Sequence, residues 1–285
     1  METINLDFVI HIKEYPRKKN GKKKHSHCEV KKMKKAVAIL LLFIMLVPLA
    51  GCKLNYAVLG YIKEYDVDTG IHSLDIRINS AELIIKEADE FSVESNLKYL
   101  TVEENGGILE IIEMKKAGKI YDDAVLTVFI PANTNFKRIN LEVGACAATI
   151  APLSADVINI HHGAGDVYFD SLTANDYANI DGGAGEIVIN YGILNNLDLE
   201  MGVGKIDLKA SLLGECELDF GVGKSNIRLI GDKSDYSLEL EKGLGDIRVD
   251  GKDFMYYESN VRGRNRIGIS GGVGDINIMF IDENS

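Results

Sequence analysis

Proline is scarce: a chain of 285 residues has four, against 28 glycines. Glycine without much proline, and without a three-residue period, excludes a collagen-type helix. The four cysteines are too few for a disulfide scaffold in this length, and tryptophan is absent. Long apolar runs are missing as well. Ala36–Val47 has 12 apolar residues, short of the roughly 20 that cross ~30 Å of hydrocarbon. Basic residues are in short supply over most of the chain. Residues 1–51 carry 11 Lys and Arg against 4 Asp and Glu, whereas 52–285 carry 21 against 39. The formal net charge of -11 is therefore a basic leader joined to a body at -18. So acidic a body argues against a nucleic-acid surface, whose affinity comes from neutralising phosphates. What is present, 46% apolar and 26% charged residues, suits a folded chain with a real core.

The leader has an internal order. Lys34 and Lys35 form a positive start, Ala36–Val47 an apolar stretch, and Leu49-Ala50-Gly51-Cys52 a small-residue box. These features in this register read as a signal peptide over 33–51. The box resembles the lipobox of bacterial lipoproteins, which implies a diacylglycerol on the Cys52 thiol. The partner is then the lipid bilayer, and the location the extracytoplasmic face of a bacterial membrane. Two acyl chains at ~0.8 kcal/mol per buried methylene would hold the body there. Residues 1–32 precede a complete signal peptide, so they are read either as lying upstream of a true start at Met33 or as a long n-region. Residues 52–70 are read as the connection to the body.

From residue 144 to the end the chain repeats itself. Gly-x-Gly recurs with its first glycine at 163, 183, 202, 221, 243 and 272, after a degenerate copy at Gly144-Ala145-Cys146. Three places before each first glycine stand Leu141, Ile160, Ile180, Leu199, Leu218, Leu240 and Ile269. Apolar residues alternate on both sides of each glycine pair, and the parity slips by one across it. A strand keeps one face buried with period two, so the slip demands a bend at the glycines. The expectation is all-β: a single-domain β-solenoid of 19–20-residue rungs with Gly-x-Gly corners, the middle residue inward and short polar returns such as 171–176. Leu74, Ile76 and Ile78 before Asn79-Ser80-Ala81 repeat the template without glycines. Residues 71–143 are thus read as irregular rungs of the same solenoid, ahead of regular repeats over 144–285.

The pattern of apolar-x-apolar, glycine, charge, apolar-x-apolar resembles the bacterial cell-surface family called "putative adhesin", over roughly residues 66–280. That resemblance implies surface attachment and brings no catalytic residues.

Other constellations carry less. Gly221-Val222-Gly223-Lys224-Ser225 has the end of a phosphate-binding loop, but Leu218 stands where its first glycine belongs. Gly271-Gly272-Val273-Gly274-Asp275 lacks the nine-residue period of calcium-binding β-rolls. His161 and His162 should face opposite sides of a strand, which argues against joint metal binding. Cys146 and Cys216 lie too many rungs apart for a disulfide. The residues after each second glycine, Asp166, Glu186, Lys205, Lys224, Asp246 and Asp275, should form a charged ladder with contacts Glu186–Lys205 and Lys224–Asp246. The last repeat interval is 29 residues, about ten more than usual. Its insertion brings Phe254, Tyr256, Tyr257, Arg262, Arg264 and Arg266, a candidate recognition patch of aromatics with arginines. The alternative is an excursion packed on the solenoid with its arginines paired to acids. No cofactor and no metal site is expected. The functional expectation is a non-enzymatic, membrane-anchored protein that binds envelope polymers or surface proteins. An envelope-stress component acting through a protein partner and a solenoid carbohydrate-active enzyme are the alternatives.

Overall fold

Alternating aliphatic residues build strands around one interior. Residues 55–56, 59–68, 70–114, 119–120, 123–256 and 263–282 are described by the computed structural model. The leader, Cys52, Tyr257 and Arg262 lie outside the described residues. In the strand Leu153–Phe169, the side chains of Leu153, Ala155, Ile158, Ile160, Val167 and Phe169 are all buried. Their parity changes between Ala155 and Ile158 and again between Ile160 and Val167. Each change is a bend, so one coil consists of three short segments facing a shared core. The third segment is where the sequence suggests a polar return. Leu172 and Ala174 are both fully buried and pair in parallel with Leu153 and Ala155. A segment that turns only two side chains inward is too short to show a period.

Coils stack by parallel pairing, each residue against the one 19 or 20 places later over most of the repeats. Equivalent side chains therefore form columns. One column runs Ile111, Ile76, Leu141, Ile160, Ile180, Leu199, Leu218, Ile269 and Leu240. All but Leu240 are buried. Full burial of such a side chain stabilises by about 1.5–3 kcal/mol, and the column is that contribution repeated once per coil.

The column also reveals that spatial order is not chain order. The strand Glu215–Ile230 pairs with Asn265–Ile281, a jump of 51 residues at Glu215↔Arg266. Asn265–Ile281 in turn pairs with Tyr236–Glu241 and Ile247–Val249. The chain thus leaves a space, builds the outermost coil at 236–249, and returns to fill the space with its last coil. The long final interval is this return path. At the other end Ser73–Ile78 and Glu82–Ala88 lie between the coil at 135–150 and an outer coil made from Ile108–Glu113 and Val125–Pro131. Residues 71–131 therefore do supply coils, laid down in reverse order.

Stacked coils leave strand edges at both ends. Antiparallel strands cover them: Leu100–Asn105 on Ile108–Glu113, Ser92–Ser95 on Val125–Pro131, and Lys252–Asp253 on Ile247–Val249.

Candidate binding groove

The site begins with the backbone of the corner glycines. Gly204 has φ +149° and Gly223 φ +146°, a region that side-chain-bearing residues avoid. A Cβ at Gly223 would also strike the carbonyl oxygen of Gly204 in the neighbouring coil, and one at Gly204 that of Gly185. Conformation and close stacking both demand glycine here. The first glycines stack likewise, Gly202 beneath Gly183 at a Cβ clearance of 2.6 Å. The result is a strip of bare backbone along the stack.

The middle residues do not point inward as the sequence suggests. Val203 is 55% exposed, Val222 49%, Val273 48% and Leu244 78%. The parity slip is a bulge, and the extra residue sits on the outside of the bend. In register these residues form a ladder, Ala184↔Val203↔Val222↔Val273, with Leu244 bridged to Val273. This apolar row runs along the outside of the corners, and the strip of first glycines beside it is the floor of a groove.

The wall of this groove is the outward residue two places before each first glycine. Glu142, His161, Asp181, Glu200 and Asp219 are in register on successive coils, followed by Ser270 and Glu241. Three hollows make the groove, of 230, 350 and 460 Å³. Asn79 and Glu142 line both the first and second, and Asp181 both the second and third. From Ile112 to Ser270 the groove crosses seven coil spacings, about 34 Å at ~4.8 Å each.

Among the described residues of this wall, the basic side chains already have carboxylate partners. Arg77 is held by Asp75 at 2.5 Å. His161 Nδ1 lies 3.4 Å from Asp181. Behind the wall the same sheet face carries Asp198, Glu215, Glu217 and Glu239. Partial burial and then the charges of Asp219, Glu239, Asp198 and Glu215 push the Glu217 carboxyl up. The ladder after the second glycines has its Glu186–Lys205 contact, at 2.5 Å. Lys224–Asp246 is not formed. Lys224 stacks on Asp275 because the last coil intervenes, and Asp246 takes Lys242 and Arg248 instead.

Two buried polar residues, His162 and Glu113, lie beside the groove. His162 is 3% exposed and contributes to the hollow of 350 Å³. Neither ring nitrogen has a hydrogen-bond partner. The two histidines do face opposite sides, His161 being exposed. Where the glycines are lost, at Asn79-Ser80-Ala81, a carboxylate holds the corner. Glu113, 6% exposed, accepts from the backbone N–H of Asn79 at 2.6 Å and of Ser80 at 3.3 Å. Cys146 and Cys216 are free thiols, each pushed up to about 11 by burial. Among the described residues no group of three or more His, Cys, Asp or Glu is placed to hold a metal.

The insertion at 254–266 does not gather its described side chains into one surface. Phe254 packs against the core. Arg264 pairs with Asp235 at 2.9 Å and Arg266 approaches Glu215 at 3.7 Å, on different acids. Tyr256 ends a single 3-10 turn, Phe254–Tyr256, and its side chain lies outside the described residues. The groove was missed in the sequence because its floor is the strip of first glycines, which reads there only as corners.

No curated protein matches the chain. Solved structures do. A protein named "putative adhesin" from Bacteroides fragilis NCTC 9343 superposes with a TM-score of 0.50 at 12% identity, covering 76% of this chain and 95% of its own. A "putative cell adhesion protein" from Clostridium sporogenes ATCC 15579 has a TM-score of 0.32 at 16% identity, covering 77% and 99%. A "putative lipid binding protein" from Parabacteroides distasonis ATCC 8503 also gives 0.32, at 15% identity, covering 77% and 96%. The first of these shares the fold. The family model described as Toastrack DUF4097 matches residues 71–262, two thirds of the sequence, and the chain belongs to that family.

Proposed function

We propose that this protein is a lipid-anchored, extracytoplasmic binding protein whose β-solenoid presents its lengthwise groove to an envelope polymer or a surface protein. The observation that carries this reading is the groove itself. A channel about 34 Å long, walled by a row of polar and acidic side chains, is matched to an extended partner rather than to a small molecule. The same stack that builds it is rigid by construction, which limits the ordering cost of binding. The box around Cys52 supports the anchor, and the names given to the structural neighbours agree with a surface role. No reaction is assigned. The carboxylates of the groove stand in a periodic row, one per coil, rather than as an opposed pair across a bond to be broken.

Labelling of cells with radioactive palmitate tests the anchor. The wild-type chain takes up label and sediments with membranes, and Cys52→Ala loses both. Label retained in Cys52→Ala would overturn the anchor.

A further inference from the structure

The chain joins the solenoid a few residues after the Cys52 position, at one end of the stack. Asn55–Tyr56 pairs in parallel with Lys119–Ile120. That short strand lies in sequence between the two strands of the outer coil, Ile108–Glu113 and Val125–Pro131. Asn55 follows Cys52 by three residues, and a fully extended chain covers at most about 3.6 Å per residue. The reach from Cys52 to Asn55 is therefore about 11 Å at most. A lipid on Cys52 brings this end of the solenoid to the bilayer surface, because the chain between them is too short to hold it away.

The same end exposes large apolar side chains. Tyr61 is 98% exposed, Ile62 66% and Met114 57%. Tyr61 and Ile62 stand between fixed points. Before them, Leu59 packs on the small cluster of Ala81, Leu97 and Ala124, and the Gly60 N–H donates to the Asn96 carbonyl at 2.9 Å. After them, Lys63–Asp66 pairs with Ser92–Ser95, one of the strands that cover the outer coil. Met114 belongs to the same end. Its N–H donates to the carbonyl of Tyr99 at 2.8 Å, and Leu100 beside it packs on the cluster that holds Leu59.

A tyrosine ring with a hydroxyl at its tip suits the headgroup level of a bilayer. An isoleucine next to it gains by leaving water for the acyl boundary. Charge favours insertion over electrostatic adhesion. The body of the chain carries -18, and Glu64, Asp66, Glu103 and Glu104 are exposed on the covering strands of this end. An anionic leaflet repels such a surface, so the contact is apolar and needs no charged headgroup.

We propose that Tyr61 and Ile62 insert into the bilayer beside the lipid of Cys52, so that the solenoid stands on this end and its groove runs up from the membrane. The proposal rests on the reading of Cys52 as the anchor. From Ile111 to Leu240 the stack crosses eight coil spacings, about 38 Å at ~4.8 Å each. Leu244, 78% exposed on the far coil, is then well clear of lipid. The chain has no tryptophan, so a single introduced indole reports its own surroundings. Full-length, lipidated Tyr61→Trp, Ile62→Trp and Leu244→Trp are reconstituted into phosphatidylcholine vesicles with and without bromine on the acyl chains. In Tyr61→Trp and Ile62→Trp the emission moves to shorter wavelength and loses most of its intensity to brominated lipid, and added salt changes neither. Leu244→Trp keeps its intensity. Flotation of the same samples reads the anchor separately. Protein that floats with the vesicles while the indoles at 61 and 62 stay unquenched overturns the proposal and leaves the anchor standing. Quenching at 244 equal to that at 61 overturns the upright arrangement. Protein that fails to float overturns the anchor and the proposal with it.

Discussion

At the scale of single residues, the corner glycines and the carboxylates behave oppositely. Gly223 is needed for its own backbone and for the Gly204 carbonyl that it touches. Gly223→Ala is expected to destabilise by at least about 2 kcal/mol, because strain and a backbone clash act together. Urea unfolding reads the loss, and a variant as stable as wild type would refute the close stacking. Glu217 is a case where the native residue costs stability. Its carboxyl is raised in the fold by burial and by its acidic neighbours. A raised carboxyl favours the folded state at low pH, and that contribution disappears as pH rises through its folded value. Glu217→Gln should therefore melt at a higher temperature than wild type near pH 7, with the gap closing towards pH 4. A lower melting temperature at pH 7 would contradict this. His162→Leu belongs with it: removing two unpaired nitrogens from the core should raise the melting temperature.

At the scale of elements, the repeats were legible and their order was not. The column from Leu141 to Ile269 could be read directly from apolar residues three places before each glycine. What the sequence cannot carry is which coil lies against which, because Leu218, Leu240 and Ile269 are interchangeable as aliphatic neighbours. Only the excess length of the last interval hinted at the return path, and it reads equally as a decorated loop. Phe254 shows why. An aromatic beside arginines has the composition of a recognition patch, but its packing against the core and the pairing of Arg264 with Asp235 are decided by tertiary contacts. The outward row Val203, Val222 and Val273 misled in the other direction, since an aliphatic between glycines gives no sign of which side of a bulge it takes. The corner at Asn79 depends on another element altogether, the strand that brings Glu113 beneath it. Glu113→Ala is expected to cost about 1–3 kcal/mol by leaving buried N–H groups unpaired, measurable by urea unfolding. A change within experimental error would mean that the corner holds itself.

At the scale of the whole molecule, the groove is a property of the stack and belongs to no single repeat. Its wall is continuous only because the last coil fills the space between the coils at 215–230 and 236–249. Without that insertion Asp219 would face Glu241 and Val222 would face Leu244, with the carboxylate row closed up by one place. The central claim is therefore the spatial order of the coils, on which both the groove and its function depend. Disulfide trapping measures it directly. In-register neighbours on parallel strands sit within the 4.4–6.8 Å Cα separation that a disulfide requires, while residues two coils apart, at about 9.6 Å, do not. Lys224 is the in-register neighbour of Asp275. With Lys224→Cys and Asp275→Cys together, mild oxidation should form the cross-link rapidly in the folded protein. With Lys224→Cys and Asp246→Cys it should not form. Efficient cross-linking of 224 to 246, and none of 224 to 275, would contradict the insertion and with it the continuous groove.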